Sequence, residues 1–167
     1  MLMMKVLFQI FGAAVFSLPA LGQAPQKHQL NVNVGLSLIT PTYNLDYSAS
    51  TGAGIHATVL YGLNKHVATT ADIGFVVLPG LKYFPSSAVV PIQLGLRYFP
   101  TPRLYVAPKV GVGIYTIIKE SDAYFSYGLA AGYFFLKKFE IGLLYDAFTN
   151  NQSSFGYAGL KLAFQPL

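Results

Sequence analysis

From residue 30 to residue 164 this chain alternates. Leu30, Val32, Val34, Leu36 and Leu38 are separated by Asn31, Asn33, Gly35 and Ser37. A period of two marks a strand whose two faces meet different surroundings. The next segment sets Ala53, Ile55, Ala57, Val59 and Tyr61 against Gly54, His56, Thr58 and Gly62, with Leu60 as an exception. Six more segments follow the same rule, over 67–78, 89–99, 104–117, 125–135, 139–148 and 156–164. Eight strands of about ten residues have the length that a tilted membrane strand requires. Their connections are alternately tight (63–66, 100–103, 136–138) and longer (roughly 40–52, 79–88, 118–124, 149–154). In an antiparallel meander this gathers the short turns at one end and the longer loops at the other, the asymmetry of outer-membrane barrels.

Two closed barrels suit eight alternating strands. A soluble ligand-binding barrel turns its apolar phase inward, whereas a membrane barrel turns it toward lipid. The second phase decides. It is rich in Gly, Ala, Ser and Thr, too sparse in charge for a wall facing water, and small enough for the bore of eight strands. Charged residues make up only 10% of the chain, against about 25% in ordinary soluble domains. All the mid-strand charges (Asp72, Arg97, Lys109, Glu140, Asp146 and Lys161) fall in the Gly-rich phase. A Lys or Arg facing lipid at mid-depth costs roughly 2–4 kcal/mol, which explains the sorting. Aromatic residues gather near segment ends, with Tyr61, Tyr98, Phe99, Phe135, Phe139 and Phe164 toward the turns. Tyr43, Tyr83, Tyr115, Tyr124, Tyr145 and Phe148 gather toward the loops. They are expected to form two headgroup belts.

The start of the chain reads differently. Lys5 precedes an apolar run from Val6 to Leu21, and small residues at Ala20 and Gly22 suit cleavage before Gln23. The run is short for a transmembrane span of about 20 residues. The expected organisation is a signal peptide over 1–22, a short periplasmic segment over 23–29 and an outer-membrane barrel over 30–167. With no Cys, the chain has no disulfide, thiolate metal site, thiol nucleophile or lipidated cysteine. The formal charge of +5 is scattered without a basic run, so there is no case for nucleic-acid binding.

Tyr105-Val-Ala-Pro-Lys-Val-Gly-Val-Gly-Ile-Tyr115 and the closing Gly159-Leu-Lys-Leu-Ala-Phe164, together with the eight strands and signal segment, resemble the small outer-membrane β-barrel domain proteins. The resemblance covers the whole mature chain. It implies an all-β, eight-stranded antiparallel transmembrane barrel surrounded by outer-membrane lipids. It also implies an aromatic end read by the barrel insertion machinery; here Phe164 is followed by Gln165-Pro166-Leu167.

The candidate site is the polar lining: His56, Asp72, Arg97, Lys109, Glu140, Asp146 and Lys161. Charges confined in a narrow lumen need partners, so these residues are expected to form a structural ion-pair network that fills the bore; a narrow ion path is the alternative. His56 and Asp72 share a phase on neighbouring strands, directly opposed or one pair apart, with Ser37 or Thr58 as the only nearby hydroxyl nucleophiles. Their context matches no known nucleophile, and a structural histidine is the expectation. His28 and His66 are solitary, which argues against a metal site. Gly111-Val-Gly113 lies mid-strand with no helix after it, unlike a phosphate loop. No catalytic residue or cofactor is assigned. The expected role is structural or surface contact through the loops. Rivals are a narrow pore, a lipid-modifying barrel enzyme and a soluble ligand-binding barrel.

Overall fold

The computed structural model describes residues 26–166 apart from 44, 46 and 119, so the expected signal segment lies outside the described residues. The strands are β1 (Leu30–Thr42), β2 (Gly52–Gly62), β3 (Val67–Leu78), β4 (Ser87–Tyr98), β5 (Leu104–Ile117), β6 (Glu120–Leu136), β7 (Phe139–Thr149) and β8 (Ser154–Phe164). Each pairs antiparallel with the next, and β8 pairs with β1 to close the barrel. The register can be followed round the wall from Val32 through Val59, Ala71, Leu94, Val110, Tyr127, Ala147 and Gly156. It returns to β1 at Thr42, ten residues further along. That stagger tilts the strands and sets the width of the bore.

The alternation has the expected direction. Leu36, Leu94 and Leu143 point outward at 65%, 67% and 63% exposure, as do their apolar neighbours along each strand. Asn31, Asn33, Thr58, Gln93, Arg97, Ser126, Glu140 and Asp146 are buried inside. Leu60, which breaks the pattern, also points inward and is buried.

Several inward glycines are explained by what faces them. A Cβ at Gly113 would run into the Phe148 ring, one at Gly132 into Tyr105, and one at Gly128 into the Asp146 carboxylate. Large and small residues therefore interlock across the bore, an inward ring or carboxylate lying over an inward glycine.

Two expectations need correction. Positions 118–124 do not form a loop: β5 and β6 pair up to Ile117↔Glu120, leaving a tight hairpin. Polar groups beyond the hydrocarbon can continue a ladder as readily as end it, and Thr116 and Ser121 join their hydroxyls at 2.9 Å. The aromatic belts also lose members. Phe99, Tyr124 and Phe148 are buried inside, and Tyr115 packs against the interior cluster. They stand one residue, or an odd number, from outward neighbours, and alternation overrides nearness to a strand end.

Because the chain lacks Cys, a single spin label at Leu94 or Val112 has an unambiguous position. In bilayers both labels should be accessible to oxygen and shielded from a water-soluble nickel reagent, whereas water around them would reverse the orientation. Gly113→Ala should lower unfolding free energy by about 1–3 kcal/mol, the usual cost of overpacking. Adding Phe148→Leu should recover part of that loss in urea titrations.

Candidate functional site

The interior is layered. Nearest the turn end, Phe99, Tyr105 and Phe134 pack with Ala68 and Ala107. Phe99 and Phe134 flank the Tyr105 ring at centroid distances of 6.0 and 6.2 Å. Position 105 comes from the inward parity of β5, and the Arg97 guanidinium lies 3.8 Å from its ring centroid. This layer packs across the turn end of the bore.

Above it sits Glu140, delivered from the start of β7. Arg97 donates from a terminal guanidinium nitrogen to Glu140 Oε2 at 3.0 Å, and Asn33 Nδ2 donates to the same oxygen at 3.0 Å. Tyr105 donates its hydroxyl to Oε1 at 3.0 Å, and the Lys161 ammonium lies 3.4 Å from that oxygen. Groups from β1, β4, β5 and β8 thus converge on one carboxylate. A second carboxylate, Asp146, receives a hydrogen bond from Gln93 Nε2 at 3.0 Å and pairs with Lys109 at 3.5 Å. Gln93 Nε2 also donates to Ser126 Oγ at 2.6 Å. Desolvation of these ions is offset because each meets an opposite charge, and the two carboxylates also accept from the neutral donors Asn33, Tyr105 and Gln93.

The remaining two candidates do not meet each other. His56 is in register with Gly74, while Asp72 is opposite Thr58. Thr58 donates its hydroxyl to Asp72 Oδ1 at 2.6 Å, and His56 Nε2 bonds the Ser37 hydroxyl at 2.7 Å. Asp72 therefore joins a hydroxyl rather than an ion pair among the described residues. The inward strand charges still balance, with Asp72, Glu140 and Asp146 against Arg97, Lys109 and Lys161. His28 lies outside the bore, where its Nδ1 bonds the Tyr61 hydroxyl at 2.8 Å. Among the described residues no three His, Asp or Glu side chains converge as a metal site.

At the loop end the lining is apolar. Ile39, Val76, Leu78, Val89, Leu144, Phe148, Phe155 and Tyr157 form one buried cluster, with Phe148 and Phe155 stacked at 4.9 Å. The β1–β2 connection folds inward over it, contributing buried Leu45 and Ala49. That lid is tied to the β3–β4 connection by the Ala49↔Gly80 bridge and by Ser50 N to Pro79 O and Leu81 N to Ser48 O, at 2.8 and 2.9 Å. Apolar residues in the inward phase signal this cluster in the sequence, but the dominance of glycine lower in the same phase hides it.

Removing the shared carboxylate should be costly. Glu140→Gln strands Arg97 and Lys161 and should lower unfolding free energy by about 3–5 kcal/mol. Asp72→Asn disturbs one hydroxyl bond and should cost roughly 1–2 kcal/mol. Urea unfolding of the protein folded into vesicles distinguishes the two, and equal losses would contradict the convergence on Glu140.

The same architecture occurs in solved structures. The attachment invasion locus protein Ail of Yersinia pestis matches with a TM-score of 0.61 and 10% identity, over 84% of this chain and 99% of that one. Neisserial surface protein A matches with a TM-score of 0.64 and 11% identity, over 81% and 95%. The N-terminal barrel domain of Pseudomonas aeruginosa OprF matches with a TM-score of 0.55 and 16% identity, over 82% and 99%. At such identities the likeness is one of fold. No curated protein sequence matches the chain. The outer membrane protein beta-barrel domain family matches residues 11–163. With that match, the closed eight-stranded barrel and its apolar outer wall, the chain belongs to the outer membrane protein beta-barrel domain family and is a protein of the outer membrane.

Proposed function

We propose that this protein is a closed, non-enzymatic barrel that anchors a surface structure in the outer membrane and acts through contacts at its loop end. The supporting observation is the filling of the bore from floor to lid. An aromatic layer, two carboxylate-centred clusters and an apolar cluster capped by Leu45 succeed one another. Eight strands leave room for side chains and little else, and these side chains interlock. Residues 1–22 serve as the cleaved signal peptide, and the barrel insertion machinery acts on the strand that ends at Phe164.

The contact between Ser37 and His56 supports a structural role better than a catalytic one. It faces the packed interior, and the carboxylate that would orient His56 is engaged by Thr58 instead. A serine activated by a histidine works best with that base oriented by a third group and with access to substrate. The accessible chemistry is at the loop end, where Tyr43, Tyr47, Tyr83 and Phe84 are exposed. Tyr47 and Phe84 meet edge to face at 6.0 Å. Exposed rings held on short, mutually bonded connections suit partner contact.

In planar bilayers the purified protein should show no steady conductance. Combining Leu45→Ala, Phe148→Ala and Phe155→Ala should thin the upper layer and raise ion flux. Stable nanosiemens openings in the unaltered protein would overturn the closed-barrel reading.

A further inference from the structure

The two ends of the barrel differ in charge. At the turn end Lys27, Lys65, His66, Arg103 and Lys137 are exposed, and Lys138 lies beside them. Among the described residues no exposed Asp or Glu stands with them. Glu140, the nearest carboxylate in sequence, is buried and engaged by Arg97 and Lys161. The exposed acids Glu120 and Asp122 begin β6 at the opposite end.

The turns that carry these cations are fixed by hydrogen bonds. Asn64 Oδ1 accepts from the backbone N–H groups of His66 and Val67 at 2.7 and 2.9 Å, and Thr101 Oγ1 accepts from Leu104 N at 3.1 Å. Each turn is also stitched to the wall: Phe99 N donates to His66 O, Phe134 N to Arg103 O and Gln165 N to Lys138 O. The β2–β3, β4–β5 and β6–β7 turns recur at every second strand, so the positive groups form a ring instead of one patch. Directly beside the ring lies an outward girdle of Tyr61, Tyr98, Tyr133, Phe135 and Phe139. The Lys138 ammonium is 6.0 Å from the Phe164 ring centroid, which puts positive charge at girdle height.

From this arrangement we propose that the turn end is a seat for anionic phospholipid headgroups in the leaflet that surrounds it. Amphipathic aromatic rings settle at headgroup depth, and Lys and Arg stems lie along apolar surface with their charges at the interface. Attraction to a negative surface adds up over cations within a Debye length, about 10 Å at 0.1 M salt. A ring of cations matches a leaflet encircling the barrel, whereas one compact anionic ligand would be met by a single cluster. The inference rests on the orientation of the barrel in lipid and not on its closed lumen.

The test uses the full chain folded into vesicles of phosphatidylcholine with a minor share of phosphatidylglycerol. Spin-labelled lipids report which headgroup is held at the protein surface. Phosphatidylglycerol should be enriched over phosphatidylcholine about threefold at low salt and should approach parity in concentrated salt, as screening requires. Glycerol phosphate in solution should not compete, because the seat is for headgroups presented by a leaflet; competition would mean a free-phosphate site and overturn the proposal. The combined variant Lys65→Gln, Arg103→Gln and Lys137→Gln should lose the preference while keeping the heat-modifiable migration of a folded barrel. Lys65→Gln alone should lose part of it, and Lys82→Gln at the loop end should leave it unchanged. Parity in the unaltered protein, a preference that survives the triple substitution, or one abolished by Lys82→Gln would each defeat the proposal.

Discussion

Hydrocarbon offers no partner to a peptide N–H or C=O. Every backbone group that crosses it must be satisfied within the protein, and for strands this means a sheet without edges. The pairing of β8 with β1 from Val34↔Phe164 to Thr42↔Gly156 completes that condition. Once eight strands close with this stagger, bore and parity are settled together. Each residue faces either lipid or an axis only a few side chains wide. Moving one residue in register would exchange the two sets along a whole strand, sending Arg97 or Lys161 into lipid.

The narrow axis then selects what can occupy it. Phe148 requires the bare backbone of Gly113, Tyr105 that of Gly132, and Asp146 that of Gly128. Glycine, a poor strand former on its own, is tolerated here because its missing side chain is another residue's space. The ions answer the same constraint. One carboxylate at the axis can be reached from several strands, and Glu140 collects Arg97, Lys161, Tyr105 and Asn33 from four of them. Such a node joins distant parts of the wall without adding volume.

Fold and facing were legible in the sequence because period two is local and a misplaced charge in lipid is expensive. Partnership across the bore was not. Glu140 and Asn33 are separated by 107 positions, and only the stagger brings them to one level. The offset of His56 from Asp72 depends on how the 63–66 turn closes, which Asn64 decides through its bonds to two successive backbone amides. The inward aromatics carry a readable signal: Phe99 follows outward Tyr98, and Tyr124 lies three residues before outward Tyr127, so counting parity places both inside. Leu45 had no such marker. It lies in a connection outside the alternation, and its burial follows from the pairing of two loops that the chain separates.

A filled bore changes what the rest of the molecule can contribute. On the closed-barrel proposal the protein meets its surroundings through the wall and the two rims. The wall is uniform in character, being leucine, valine, isoleucine and aromatic residues facing acyl chains. The rims are not uniform. Among the described residues, one carries turns closed within a few residues and cations without an exposed Asp or Glu beside them, and the other carries bonded loops with exposed Tyr and Phe, Lys82 and the acids of β6. Opposite charges placed at a single rim would cancel within a Debye length. Separated by the depth of a membrane, the cations of the turn rim are not cancelled by the acids of β6, and the two rims differ in electrostatic character. On the closed-barrel proposal the wall is a spacer, and the spacer allows one short chain to present unlike surfaces to the two sides of the outer membrane.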